Sequence, residues 1–176
     1  MSIFKKFFSW LFPIREDVAR ETQQVWMTDL NPLLVEKVCN LLEACAAANM
    51  RVGVHKGYRS VKEQDRLYAI GRTTQRNDKK VTNARGGQSW HNFGLAVDVV
   101  FMDDKGWSWA EKYNWKKLGI LGKKCGLSWG GDWKKLVDRP HFQLTGDLSI
   151  GEAYRIEKLH GIESVWARVN LVHNKE

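Results

Sequence analysis

The segment at residues 94–101, GLAVDVVF, constrains the fold more than any other part of the chain. It is rich in β-branched residues and alternates little between polar and apolar side chains, which predicts a central strand buried on both faces. Its one charged residue is Asp98. A carboxylate in a buried strand costs roughly several kcal/mol unless it is paired or binds a metal, so Asp98 requires a cationic partner.

Four other segments have features typical of helices. Apolar residues recur at helical spacing at residues 32–50, 114–126 and 149–159. Ser60 is followed three residues later by Glu63, which predicts a reciprocal cap at the start of a further helix, with Gly71 as its stop.

Short strands and turns complete the expected architecture. Alternating Val52 and Val54 predict a half-buried strand that runs into a turn and delivers Arg59 to the strand end. DDKG at residues 103–106 predicts a turn after the central strand, and HFQL at residues 141–144 predicts another short strand. Because helices and strands follow each other without a regular βαβ rhythm, the predicted fold is α+β, a small antiparallel sheet with flanking helices.

Composition fits one globular domain and argues against a nucleic-acid-binding protein and against a disulfide-linked one. The 176 residues, 43% of them hydrophobic, are enough for a sizeable core. The net charge of +8 favours polyanionic partners. The basic residues are scattered, however, and no nucleic-acid motif is present, so we expect no nucleic-acid partner, and an anionic bacterial envelope matches the charge equally well. Three cysteines without CxxC spacing predict buried thiols and a reducing compartment.

Residues 1–12 place apolar side chains on one side of a helix, beside Lys5 and Lys6. The apolar run is too short to cross a bilayer and does not resemble a signal peptide. Two interpretations stay open: docking onto the domain, which we prefer, and weak contact with a membrane surface. Without a signal peptide, the protein is expected to be cytoplasmic.

Two histidines lie beside predicted strands and could bind one metal ion together with Asp98. His91 precedes the central strand, and His141 begins HFQL. Two imidazoles and one carboxylate are a usual catalytic zinc set that leaves the fourth position for water, whose pKa zinc lowers to about 7. Residue 139 precedes a proline and therefore favours extended backbone, so the segment is not expected to be helical. The Asp138 carboxylate can then reach a metal-bound water and transfer its protons only if the chain bends at residues 139–140.

Each of these residues also has an ordinary structural interpretation. His91 and His141 could be half-buried structural histidines, Asp98 could pair with Arg59 or cap a turn, and Asp138 could be a surface turn residue. We favour the metal site because these residues occur together, in apolar contexts and with an adjacent acid. The other histidines lack such a setting and are expected to be structural or at the surface: His55, His160 and His173.

SWHNFGLAVD at residues 89–98 has the spacing Ser-x-His-x-x-Gly-x-Ala-x-Asp and resembles the M15 peptidases, which have the hedgehog/D,D-peptidase-like fold. Together with the later Asp-x-x-His, GYRS, QDRLYAIGRT, GGDW and DRPHFQL, it is similar to one branch of that family. This branch contains the L-alanyl-D-glutamate endopeptidases of phage endolysins and the VanY-like carboxypeptidases. The resemblance spans residues 52–144.

The resemblance implies roles for particular residues. One zinc ion per chain would be held by His91, Asp98 and His141. Asp138 would act as general base and then as general acid. Arg59 would hold a carbonyl or carboxylate of the substrate, for which a bidentate guanidinium is well suited. Ser89 and Trp133 are further candidates for the substrate site.

The implied partner is the stem peptide of peptidoglycan. Asp at position 138, where D,D-dipeptidases of this superfamily generally carry Glu, favours hydrolysis of the L-Ala–D-Glu bond. The protein is further expected to be a monomer and to serve as a phage-type endolysin that acts on the cell wall after release. The alternatives are a D-Ala–D-Ala carboxypeptidase for wall maturation and a non-catalytic peptidoglycan-binding module. The expected organisation is a lead-in at 1–30, the catalytic domain at 31–148 and a helical extension at 149–176 packed on the same domain.

Overall fold

The structure is a computed structural model that describes residues 27–173. Within that range, no helix combines the length and the apolar character needed to span a bilayer. The segment at residues 1–12 lies outside the described residues, so its docking and its membrane contact both stay predictions.

A sheet of five antiparallel strands forms the centre of the fold. The strands are β1 Val52–Lys56, β2 Ala96–Asp103, β3 Gly106–Ser108, β4 Ser128–Trp129 and β5 His141–Gln143. Their order is β1-β2-β5-β4, and β3 also pairs with β2. On β2, Val97, Val99 and Val100 are each 0% exposed, so the prediction of a central buried strand at this segment is confirmed.

Five α-helices flank the sheet in the part of the chain described. They are α1 Pro32–Ala47, α2 Val61–Ala69, α3 Trp115–Lys124, α4 Ile150–His160 and α5 Ile162–His173. Two short 3-10 helices, at Trp90–Phe93 and Gly130–Asp132, lie in the loops beside the sheet. The predicted α+β architecture with a small antiparallel sheet is confirmed.

Helix α1 begins at a cap that also anchors the start of the domain. Asn31 is fully buried, and its Oδ1 accepts from the backbone N–H of Leu33 at 2.8 Å. Its Nδ2 donates to Asn170 Oδ1 on α5 at 3.0 Å. Three apolar residues of α4 and α5 belong to the same buried cluster as the inner face of β2: Ala153, Val165 and Val169. The two C-terminal helices therefore share the core of the sheet.

The cysteines are free thiols, as expected. Cys39 and Cys45 are buried and Cys125 is partly buried, without a disulfide among them. Burial raises the pKa of Cys45 to about 12, which leaves its thiol unreactive at neutral pH.

Several local expectations were wrong or incomplete. The Ser60 side chain accepts from the N–H of Glu63 at 3.1 Å, but the Glu63 carboxylate binds Lys56 Nζ at 2.7 Å and does not return to the cap. The cap at α2 is thus one-sided, because the strand end supplies a competing cation. The sequence also gave no sign of β3 and β4. Both are very short strands that depend on pairing with β2 and β5.

Candidate metal centre

The candidate metal centre is assembled by two neighbouring strands and the 3-10 helix that precedes the first of them. Asp98 on β2 lies directly opposite His141 on β5, so the two side chains are on the same face of the sheet. His91 lies in the 3-10 helix Trp90–Phe93, which ends at Gly94. Gly94 has a φ of +63°, and a Cβ there would lie 2.2 Å from the Asp29 carbonyl oxygen, so only glycine lets the chain turn into β2 at this point.

Three donor atoms from these residues form a nearly equilateral triangle. His91 Nε2 lies 3.2 Å from His141 Nδ1 and 3.3 Å from Asp98 Oδ1, and His141 Nδ1 lies 3.5 Å from Asp98 Oδ1. Tetrahedral zinc with bonds of about 2.0–2.1 Å places neighbouring ligand atoms about 3.3 Å apart. The triangle therefore has the dimensions of a tetrahedral zinc site, and among the described residues it is the group found to suit a metal ion.

The outward nitrogens of both imidazoles have oxygen partners. His91 Nδ1 lies 2.8 Å from the Gly57 carbonyl oxygen, and His141 Nε2 lies 3.0 Å from Gln143 Oε1. A neutral imidazole has one N–H, and these acceptors take it in both rings. Two lone pairs and a carboxylate oxygen then face the same point, an arrangement that repels itself unless a cation sits there. Outer hydrogen bonds of this kind orient the ligands of known metal sites.

The electrostatics of the cluster also call for a positive charge. Burial raises the pKa of the Asp98 carboxyl, but the nearby imidazoles of His91 and His141 outweigh burial and bring its pKa below the ordinary range. Burial lowers the pKa of His141, whereas its hydrogen bond to Asp98 and the charge of that carboxylate raise it above the ordinary value. In the absence of a metal ion, protons would therefore supply the missing charge.

Arg59 closes the other side of the Asp98 carboxylate. Its Nη2 lies 3.4 Å from Asp98 Oδ2, and its Nη1 donates to Gln64 Oε1 at 2.9 Å. Asp98 can therefore pair with Arg59 through Oδ2 and face the two imidazoles through Oδ1 at the same time. Arg59 Nε is buried and has no hydrogen-bond partner among residues 27–173.

Two buried amides hold Arg59 in place, and sequence reasoning missed both. Gln64 is fully buried and donates through Nε2 to the Ala84 carbonyl at 2.8 Å while it accepts from Arg59. Asn92, 6% exposed, donates to the Arg59 carbonyl at 2.7 Å and accepts from the N–H of Gly87 at 3.0 Å. Gln64 and Asn92 thereby link Arg59 to the loop that leads into the His91 helix. Both residues lie inside the motifs QDRLYAIGRT and SWHNFGLAVD, and this position was the only signal that could have found them.

Asp138 meets the condition set for it by the sequence. The N–H of His141 donates to the Asp138 carbonyl at 3.3 Å, so the chain turns at residues 139–140. The N–H of Asp138 donates to the Gly130 carbonyl at 3.1 Å. Burial raises the pKa of Asp138, and so does the charge of Asp98, against the lowering effect of the nearby cations. A carboxyl with a raised pKa beside a metal centre suits proton transfer.

The remaining candidates differ in their contacts with the residues of the triangle. The Trp133 ring lies against His141, with centroids 5.0 Å apart, and 37% of the residue is exposed. Ser89 precedes the His91 helix, and its N–H donates to Asn92 Oδ1 at 3.3 Å. Their roles in substrate binding stay predictions. His55 is exposed on β1, and His160 is exposed at the end of α4.

Helix α5 braces the segment that carries His91. Trp166 Nε1 donates to the Phe93 carbonyl at 2.7 Å, and Asn31, which binds Asn170 on α5, donates its N–H to the Gly94 carbonyl at 2.9 Å. Both acceptors lie within three residues of His91. The position of this ligand therefore depends on contacts that are distant in sequence.

Comparison with known proteins places this geometry in a family. An M15 peptidase family profile, described as D-alanyl-D-alanine carboxypeptidase, matches residues 82–144. The peptidoglycan L-alanyl-D-glutamate endopeptidase CwlK of Bacillus subtilis (strain 168) is 38% identical over 126 residues, which cover 66% of this chain and 74% of CwlK. The L-alanyl-D-glutamate peptidase of Listeria phage A118 is 32% identical over 82 residues, which cover 43% of this chain and 29% of the phage protein.

A solved structure of VanYB in complex with D-alanine-D-alanine shares the fold. Its TM-score is 0.53 at 18% identity, with 72% of this chain and 77% of VanYB covered. Because the profile, the relative CwlK and the fold agree with the His-Asp-His triangle, the chain belongs to the M15 family of zinc metallopeptidases.

Proposed function

We propose that this protein hydrolyses the L-Ala–D-Glu bond of the peptidoglycan stem peptide, with one zinc ion held by His91, Asp98 and His141. The observation that carries the proposal is the triangle of donor atoms, 3.2–3.5 Å on each side, in a chain 38% identical to the endopeptidase CwlK. The spacing, the buried lone pairs and the choice of two imidazoles and a carboxylate all fit a catalytic zinc site.

A zinc ion bound there would polarise the scissile carbonyl and lower the pKa of a bound water. The other steps belong to side chains of this chain. Asp138 would accept a proton at its carboxylate from the attacking water and return it to the departing amine, and its raised pKa suits both transfers. Arg59 would hold a carbonyl or carboxylate oxygen of the substrate through its guanidinium. Trp133, packed on His141, would limit the access of bulk water to that side of the centre.

The test is digestion of purified peptidoglycan with and without a chelator, followed by product masses. We expect new D-Glu amino termini, loss of activity with the chelator and recovery with added zinc. Asp138→Asn should lower kcat by roughly 10²–10⁴, the usual contribution of a general acid–base group. Asp104→Asn is the matched control, because the Asp104 side chain is 96% exposed. Full activity of Asp138→Asn would contradict the assigned role.

A second candidate is a carboxypeptidase that removes the terminal D-Ala. The description of the matching family profile and the fold shared with VanYB favour it. The same digestion separates the two: free D-Ala among the products would support the carboxypeptidase, whereas its absence with cleavage after L-Ala would exclude it. If the protein binds peptidoglycan without releasing either product, the non-catalytic module would replace both.

The biological setting is part of the same proposal. The likeness to the Listeria phage enzyme supports a role as an endolysin that accumulates in the cytoplasm and acts on the wall after release. Cell fractionation and lysis of host cells on expression test this role. We further propose a monomer without a nucleic-acid partner, to be tested by light scattering and by DNA binding. Deletion of residues 1–12 with unchanged lysis and vesicle binding would remove the proposed membrane contact.

A further inference from the structure

Three exposed rings form an aromatic surface on one side of the sheet, which we call the aromatic platform: His55, Trp107 and Trp109. The His55 ring lies 5.4 Å from Trp107 and 5.0 Å from Trp109 between centroids, edge-on to both. Trp107 is 41% exposed and Trp109 is 51% exposed. Large aromatic side chains are mostly buried, so a cluster left open to solvent marks a candidate binding surface.

The aromatic platform lies on the same face of the sheet as the metal centre. Trp107 is directly opposite Met102 of β2, so their side chains share a face. Along a strand every second residue faces the same way, which puts Asp98, Val100 and Met102 together on that face. Gly53, opposite Val100, leaves space for the ring: a Cβ there would lie 3.0 Å from Trp107 Cη2.

A bulge in β1 brings His55 into this surface. The register between β1 and β2 shifts between Val54 and Lys56, so His55 is the extra residue without an opposite partner on β2. Bulges re-aim one side chain and are common beside active sites. Lys56, the next residue, lies opposite Asp98, which makes the aromatic platform and the metal centre adjacent parts of one surface.

The distance between the two parts fits one particular substrate. With a rise of about 3.4 Å per residue, the Val100 and Met102 positions lie about 7 Å and 14 Å along β2 from Asp98. In a stem peptide, L-Ala is joined through a lactyl group to the sugar of the glycan strand. A lactyl group and one amino acid span about 7 Å when extended, so a sugar next to an L-Ala–D-Glu bond held at the metal would reach the rings.

We propose that the aromatic platform binds the sugar that carries the stem peptide, and so places the L-Ala–D-Glu bond over the metal centre. This inference rests on the proposed function and narrows its substrate from free peptide to glycan-linked peptide. The apolar C–H faces of a sugar ring pack on indole rings, while its hydroxyls stay in water at the rim. A D-Ala–D-Ala bond lies three residues further from the sugar, roughly 10 Å more, so the aromatic platform favours the L-Ala–D-Glu bond.

The test compares substrates with and without the sugar. The kcat/KM of the zinc-loaded protein is measured on a disaccharide-linked stem peptide and on the same peptide free, and binding of peptide-free glycan strands is measured by NMR. We expect the linked substrate to be preferred by about tenfold, and Trp109→Ala to abolish both the preference and the glycan binding. Its rate on free peptide should stay within about twofold of the original, since Trp109 touches no reacting group.

Controls keep the outcomes separate. Leu159→Ala changes another exposed apolar side chain, 74% exposed on α4, and should alter neither measurement. His55→Ala is the second variant if circular dichroism shows that Trp109→Ala is unfolded. Equal rates on both substrates, or loss of both rates in parallel, would overturn the proposal while leaving the peptidase function intact. Glycan binding that Trp109→Ala removes, in a protein that cleaves neither substrate, would support the aromatic platform and refute the proposed function.

Discussion

Replacement of Gln64 by Leu tests whether one buried amide holds the site together. The two side chains have similar size, but Leu supplies neither the acceptor for Arg59 Nη1 at 2.9 Å nor the donor to the Ala84 carbonyl at 2.8 Å. Gln64 is fully buried, and the Arg59 side chain is only 13% exposed, so water has little access to the group left behind. Gln64→Leu should therefore lower the free energy of unfolding by more than the loss of an ordinary surface hydrogen bond would.

The magnitude follows from the two shorter of the three hydrogen bonds that Gln64 loses, since the third, from Nε2 to Thr82 Oγ1, is 3.4 Å long. A hydrogen bond to a charged group contributes about 1.5–3 kcal/mol, and an unpaired carbonyl costs about 1–3 kcal/mol, at the lower end where water can enter. Ala84 is only partly buried, so its carbonyl belongs at that lower end. We expect Gln64→Leu to lose about 3 kcal/mol of unfolding free energy, which for a chain of this size is about 6–12 °C in Tm.

Thermal unfolding followed by circular dichroism measures the shift, and activity on peptidoglycan reports the position of Arg59. Gln64→Glu is the matched control, because it keeps an acceptor for Arg59 and loses the Nε2 donor that serves Ala84 and Thr82. We expect it to lose about 1 kcal/mol. The reasoning is refuted if Gln64→Leu unfolds within 1 °C of the original, roughly the error of the assay, or if both variants lose the same amount.

Three further predictions concern the metal, the packing and the first helix cap. Zinc at 100 times its Kd should stabilise the protein by about 2.7 kcal/mol, and His91→Ala should remove this zinc-dependent shift in scanning fluorimetry; an equal shift in the variant would contradict the assignment. Gly122→Ala should cost about 1–3 kcal/mol in urea unfolding, because its Cβ would lie 2.2 Å from Phe142 Cε1, whereas Gly151→Ala, with open space around it, should be neutral or stabilising. Asn31→Ala should lose about 2 kcal/mol of unfolding free energy, since it removes a helix cap and a partly buried hydrogen bond to α5; a Tm equal to that of the original would show that water replaces both.

The sequence predicted the parts of the site that depend on strong local patterns. An acid inside an apolar strand is conspicuous, and this pattern alone marks Asp98 as a residue that needs a cationic partner. His91 and His141 followed from their positions beside strands, and the structure brings all three within contact distance. The sequence does not predict the bend before His141, because a proline restricts the backbone of the residue before it without determining the direction of the turn.

The parts that the sequence did not predict depend on long-range contacts. Gln64 appears as one polar residue in a polar helix, and only the approach of the loop at residues 82–84 makes it buried and paired. The failure of the predicted cap at Glu63 has the same origin, since Lys56 lies on another element. His55 is expected to be structural or at the surface, which agrees with its exposure, but its place between two indoles depends on the bulge in β1.

The bracing of the His91 segment by α5 limits how the protein can be trimmed. Because Trp166 and Asn170 reach back to the residues around His91, a fragment that stops at the end of the family match at residue 144 would lack the contacts that hold this candidate ligand in place. An engineered minimal enzyme should therefore retain the chain through Asn170, and fusion partners belong beyond that point.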